Sequence, residues 1–144
     1  MAITTNAIAN SFKKQLIEAT HNFSNPGGNT FKLAMYTSAA TLGSGTTSYT
    51  TGGEVSSPAG YTAKGQALAN VGTSVSSGVA ITDFSNLSFT GVTLTARGAL
   101  IFNSTQADKA VAVLDFGGDK TATAGTFTIQ FPAYTTSAAI LRIA

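Results

Sequence analysis

The hydrophobic positions near the start of the chain repeat with a helical period. Phe12, Leu16, Ile17 and Phe23 fall on one face of a helix over about residues 10–22. Lysine, glutamine and glutamate occupy the opposite face. An asparagine, a proline and two glycines follow at residues 25–28, and these residue types end helices and turn the chain. The pattern predicts one N-terminal α-helix.

After this turn the period falls from 3.6 to about 2. Phe31, Leu33 and Met35 alternate with other side chains, which predicts a first strand over about residues 30–36. Turn residues divide the later part of the chain into short apolar segments. These predict strands near residues 66–75, 79–84, 86–95, 97–104, 109–116, 125–131 and 138–143. About eight short strands after one helix indicate a mostly β fold, a β-sandwich or jelly roll, in which residues 1–144 form a single domain.

Residues 37–65 are rich in Ser, Thr and Gly and carry few large apolar groups. Loops of this length are usually functional or disordered, so we interpret the segment as a long polar arm. Tyr49 and Tyr61 interrupt it, and tyrosine is a common anchor residue in protein interfaces.

Charged residues make up only 10% of the chain, although hydrophobic residues make up 43%. Ordinary soluble domains carry about 25% charged residues. The polar surface must therefore be built from Thr, Ser, Asn and Gly, which are easier to desolvate than ions. Two interpretations stay open: a threonine-rich β domain that happens to be poor in charge, or a surface that other subunits cover.

Several classes of partner are disfavoured by the charge distribution and residue content. Eight basic residues exceed six acidic ones by only two, and Lys13 and Lys14 are the only adjacent pair, so no patch could follow a nucleic-acid backbone. No stretch approaches the ~20 apolar residues of a membrane span. The chain has no cysteine, and its start lacks the pattern of a signal peptide, so we expect synthesis in the cytoplasm.

The candidate reactive groups do not form a known catalytic pattern. His21, the sole histidine, follows the predicted helix, and we interpret it as a surface or helix-capping residue. Asp115 and Asp119 flank a Phe-Gly-Gly segment that reads as a turn, and they could at most form a minor part of a calcium shell. The glycine-rich stretch at residues 43–47 lacks the Gly-Lys ending of a phosphate-binding loop. We therefore expect neither an enzyme nor a cofactor.

Four sequence blocks resemble a set of small virion proteins of tailed bacteriophages. They are residues 10–13 (NSFK), 28–37 (GNTFKLAMYT), 97–103 (RGALIFN) and 109–120 (KAVAVLDFGGDK). The resemblance covers most of the chain and is weakest over residues 41–60. It implies a structural role in the phage particle and carries over no catalytic residue.

The resemblance leads to three functional hypotheses. The first is a capsid cement or decoration protein on the outer shell, which implies a homotrimer that binds the major capsid protein and no small-molecule substrate. The second is a component of the tail or a tail fibre, and the third is a module that binds a host glycan. As interface residues we select Phe12 and Phe23 on the helix, and Tyr49 and Tyr61 on the arm. The helix face could equally belong to the core.

Overall fold

A computed structural model describes residues 3–56 and 60–144. It confirms a mostly β fold, with two antiparallel sheets and one short helix. The elements are β1 (Ala7–Ile8), α1 (Asn10–Ile17), β2 (Phe31–Tyr36), β3 (Gln66–Ala67), β4 (Asn70–Ser76), β5 (Val79–Phe84), β6 (Leu87–Asn103), β7 (Lys109–Ile129) and β8 (Leu141–Ile143).

The larger sheet is built around one long hairpin. Its strand order is β1-β7-β6-β2-β3, and β6 and β7 pair from Asn103 opposite Lys109 to Leu87 opposite Ile129. Within β6, strand β2 pairs with residues 98–103. The half of the hairpin that contains residues 87–96 of β6 therefore extends past the end of β2. We call this half, residues 87–96 and 120–129, the distal ribbon.

Each long strand was predicted as two short ones. The predicted strands 86–95 and 97–104 form β6, and 109–116 and 125–131 fall largely within β7. The expected turn at Gly117 lies inside β7, where Gly117 has φ 77°. The ladder shifts register between Ala96 and Gly98, and such irregularities bend a strand without ending it.

The smaller sheet has the order β4-β5-β8. Ser77 (φ 51°) and Gly78 (φ 78°) join β4 to β5, and positive φ at both positions is typical of a tight hairpin turn. Leu141 pairs with Thr82, so the last strand is tied into this sheet, as the apolar C-terminal sequence indicated.

The core lies around the middle of the larger sheet. Residues 99–102 of β6 are at most 1% exposed, in agreement with the prediction that this wholly apolar stretch is covered on both faces. Helix α1 is shorter than the predicted 10–22, because Ala19 takes φ 59° and ends it. Asn22 and Asn29 then hydrogen-bond to each other and close the turn that leads to β2.

Residues 37–56, the described first part of the predicted arm, are irregular and lie against the larger sheet. The Thr37 N–H donates to the Gly53 carbonyl over 2.8 Å, and Ser48 forms a β-bridge with Lys109. Ala40, Leu42 and Val55 are buried. Residues 57–59 of the predicted arm, with Pro58, lie outside the described residues.

Candidate assembly surfaces

Two of the four predicted interface residues belong to an aromatic cluster in the core. Phe12 is 1% exposed and Phe23 is 8% exposed. The Phe23 ring stacks on Phe31 with 4.3 Å between ring centroids, and Phe12 meets Phe23 edge-on at 6.0 Å. Both side chains therefore stabilise the fold of this chain, as the core interpretation of the helix face required. Their role in contacts with other subunits stays a prediction.

His21 lies in the same cluster, between Phe12 and Phe31, and is 7% exposed. Its expected surface position was therefore wrong, because side chains of α1, β2 and β6 surround the imidazole. The Asn103 amide N–H donates to Nδ1 over 3.0 Å, and Nε2 donates to Gln15 Oε1 over 2.8 Å. Burial, reinforced by the Lys109 charge, lowers the pKa of His21 to about 4. The neutral ring serves as a structural link.

The other two predicted residues converge on one carboxylate. Glu54 Oε1 accepts hydrogen bonds from the Tyr61 hydroxyl at 2.8 Å and from the Lys64 N–H at 2.7 Å. The Tyr49 hydroxyl donates to Glu54 Oε2. Tyr61 is 3% exposed and Tyr49 is half-buried. We call Tyr49, Glu54, Tyr61 and Lys64 the tyrosine clamp.

The tyrosine clamp joins the predicted arm, residues 37–65, which we call the polar segment, to residues outside it. The Met35 N–H donates to the Tyr61 oxygen over 2.9 Å, and Lys64 Nζ lies 2.5 Å from Asp108 Oδ2. Burial first, and then the hydrogen bond to Glu54, raise the pKa of Tyr49 to about 12, so its hydroxyl stays a donor at neutral pH. The sequence pointed to both tyrosines, but no spacing signal linked them to Glu54.

Eight exposed positions of the distal ribbon carry hydroxyl side chains, and its other exposed residues are Gly91, Lys120 and Ala124. We call these eight positions the hydroxyl face, and its members are Ser88, Thr90, Thr93, Thr95, Thr121, Thr123, Thr126 and Thr128. Ser88 lies 2.9 Å from Thr128 between side-chain oxygens, and Thr95 lies 2.8 Å from Thr121. The opposite face is buried through Phe89, Val92 and other apolar residues. The alternation of Ser and Thr along both strands was a readable signal that the sequence interpretation missed.

The outer edge of β7 is open beside this face. Among the described residues, β1 pairs only with Ala112 and Val113, so residues 116–129 have a strand partner on one side alone. A groove of about 630 Å³ runs along this part of β7. Phe116, Phe127 and Phe131 line it, together with Asp115 and Lys120.

A second groove, of about 390 Å³, lies between α1 and the smaller sheet, and we call it the helix groove. Phe12, Phe23, Ile81 and Leu141 line it as buried residues, and Ile8, Ile17 and Ile143 line it as exposed ones. Lys13 and Arg142 are its charged lining residues.

The candidate calcium pair is not supported by a cluster of ligands. Across residues 3–56 and 60–144, no three His, Cys, Asp or Glu side chains lie close enough to hold a metal ion together. The Asp115 carboxylate accepts a hydrogen bond from the Gly117 N–H at 2.9 Å and lies 3.8 Å from Arg97 Nε. In the same described residues, no helix has the length and apolar character needed to cross a bilayer.

The fold defines a mostly β protein made of two antiparallel sheets and a short helix. Comparison with family models, with curated proteins and with solved structures found no match to this chain.

Proposed function

We propose that this chain is a cement or decoration protein of a tailed-bacteriophage capsid, which binds the outer shell as a homotrimer and stabilises the major capsid protein. The proposal starts from the resemblance of the four sequence blocks to phage virion proteins. The structural observation that carries it is the hydroxyl face beside the open edge of β7.

The hydroxyl face suits a contact surface because little free energy is lost when it leaves water. Transfer of an ionised side chain into an interface carries a large desolvation penalty, whereas a hydroxyl group that already has a partner is much easier to bury. Ser88 pairs with Thr128 and Thr95 pairs with Thr121 within the chain. In soluble proteins, charged side chains are one of the features that protect strands at a sheet edge from association.

The open edge offers a second element of contact. Unpaired N–H and C=O groups along a strand edge are a template for a strand from another chain. On β7 this edge is long, and Asp119 and Lys120 supply its charges near one end only. In a ring of three copies, the edge of β7 in each copy would contact a different surface of the next copy. The third copy would contact the first, so no β7 edge would be left unpaired.

The stabilising mechanism would be mass action. A ligand that binds the assembled shell, but not its free subunits, stabilises each site by about 2.7 kcal/mol at a concentration of about 100 Kd. Repeated binding across a symmetric shell multiplies these contributions, and several contacts per trimer slow its release.

Particles of the phage that encodes this chain test the proposal directly. We expect density for the chain on the outer shell, and we expect particles without it to lose DNA at lower temperature. Thr90→Lys with Thr126→Lys places two charges on the hydroxyl face and should abolish incorporation. Ser74→Lys, an exposed hydroxyl on β4, is the matched control and should incorporate normally. Density on the tail alone, or glycan binding without incorporation, would reject the cement role.

A further inference from the structure

The helix groove is a concavity lined mainly by apolar side chains. The smaller sheet forms one wall, where Ala80 pairs with Ile143 and Thr82 pairs with Leu141, so these four side chains share one face. Phe12, Leu16 and Ile17 of α1 form the other wall. Its volume of about 390 Å³ falls within the range of pockets that bind ligands, about 300–1,000 Å³.

The exposed hydrophobic side chains concentrate at this groove. Ile17 is 90% exposed, Ile143 is 61% exposed and Ile8 is 38% exposed. Within residues 3–56 and 60–144, six large hydrophobic side chains are exposed, and three of them line the helix groove. A single exposed isoleucine needs no explanation, but a contiguous apolar patch around a concavity marks a binding surface.

The charges at the groove determine which partner it suits. Lys13 and Arg142 line it, both side chains are exposed, and no carboxylate is among the lining residues. Glu18, which directly follows α1, pairs instead with Lys14 and is not among the residues that line the groove. A second copy docked here through a two-fold axis would face the same two cations, and like charges across an interface oppose binding.

We infer that the helix groove docks a peptide segment of a different protein, with apolar residues in its centre and Asp or Glu at its flanks. The apolar side chains would cover Ile17 and Ile143. The acidic flanks would lie beside Lys13 and, at the edge strand β8, beside Arg142, whose guanidinium also donates to the Thr136 carbonyl over 3.4 Å. The inference does not depend on the proposed function, because it rests on another surface of the molecule and requires no phage particle.

The test uses two labelled synthetic peptides that share a leucine-rich centre, one with aspartate flanks and one with lysine flanks. Fluorescence anisotropy should show that the full chain binds the aspartate peptide at least about tenfold more tightly, with an advantage that declines as salt rises. Ile17→Ser with Ile143→Ser should abolish this binding. Val75→Ser, at a residue that is 71% exposed on β4 outside the groove, is the matched control and should bind like the unchanged chain.

Charge reversal provides a second measurement that does not remove apolar surface. Lys13→Glu with Arg142→Glu should reverse the preference, so that the lysine peptide binds more tightly. Equal binding of both peptides, or unchanged binding by the double serine variant, would overturn the inference. Sedimentation that shows self-association of the unchanged chain, lost in the double serine variant, would overturn the inference in favour of a second copy. Binding of oleate without binding of either peptide would overturn it in favour of a lipid ligand. Failure of these tests leaves the incorporation experiment with the threonine variants unaffected.

Discussion

The Tyr61 hydroxyl donates a hydrogen bond to Glu54 Oε1 over 2.8 Å, and both residues belong to the polar segment at residues 37–65. The same phenolic oxygen accepts the Met35 N–H at 2.9 Å, so one buried group satisfies a carboxylate and a backbone donor together. Removing either partner would leave a buried polar group without a hydrogen bond.

Tyr61→Phe should lower the free energy of unfolding by about 1–3 kcal/mol, because it leaves the Met35 N–H without its acceptor and removes one donor from Glu54. Urea denaturation monitored by circular dichroism measures the change. Tyr134→Phe is the matched control, since Tyr134 is 39% exposed and should tolerate the loss of its hydroxyl. Equal stability of the two variants would show that the tyrosine clamp adds nothing to folding.

His21 should make the protein less stable in mild acid. Its pKa is about 4 in the folded chain and 6.5 in the unfolded chain, so the unfolded chain takes up a proton first as pH falls. The free energy of unfolding should therefore decrease as pH falls from about 6.5 to about 4, by at most about 3 kcal/mol in total. Denaturant titrations at a series of pH values measure this loss.

A His21→Gln variant isolates the histidine contribution. Burial raises the pKa of Asp83, whose effect on stability has the opposite sign, so only the difference between the two chains reports on His21. The variant should lack the component of the pH dependence that begins near pH 6.5. Nuclear magnetic resonance provides an independent check, and a folded-state pKa above 6 for His21 would contradict the buried, neutral ring.

Gly65→Ala should destabilise the fold severely. Gly65 has φ 63°, and a Cβ atom there would lie 1.8 Å from the Leu33 carbonyl oxygen, so the backbone of β2 would have to move. We expect a lower melting temperature or failure to fold. Gly43→Ala is the control, since a Cβ at Gly43 meets no atom within 4 Å. Near-equal melting temperatures would show that residues 60–65 do not lie against β2 as described.

Phe12→Ala should reduce the free energy of unfolding by about 3–5 kcal/mol, because it leaves a cavity beside Phe23 and His21. Ile17→Ala, on the same helix at a residue that is 90% exposed, should change stability by less than about 0.5 kcal/mol. Chemical denaturation of both variants separates the two sides of α1. A stable Phe12→Ala chain that fails only in assembly would instead favour the anchor hypothesis for the helix.

The sequence by itself determined the elements that depend on local period. The spacing of Phe12 and Leu16 predicted the helix, alternation from Phe31 to Met35 predicted β2, and the apolar end of the chain predicted β8. It placed the end of α1 too late. It also divided β6 at Ala96 and β7 at Gly117 and Gly118, positions that the long ladder accommodates as irregularities. Whether a glycine ends a strand depends on its partner strand, which no local pattern specifies.

Only the tertiary structure decided which distant residues meet. The turn at residues 22–29 brings His21 to Asn103, and the folded polar segment brings Tyr61 to Glu54. The helix groove likewise needs Ile17 and Ile143, which stand at opposite ends of the chain. Side-chain period is a property of a few neighbouring residues, whereas burial and hydrogen bonding depend on how separate elements close upon one another.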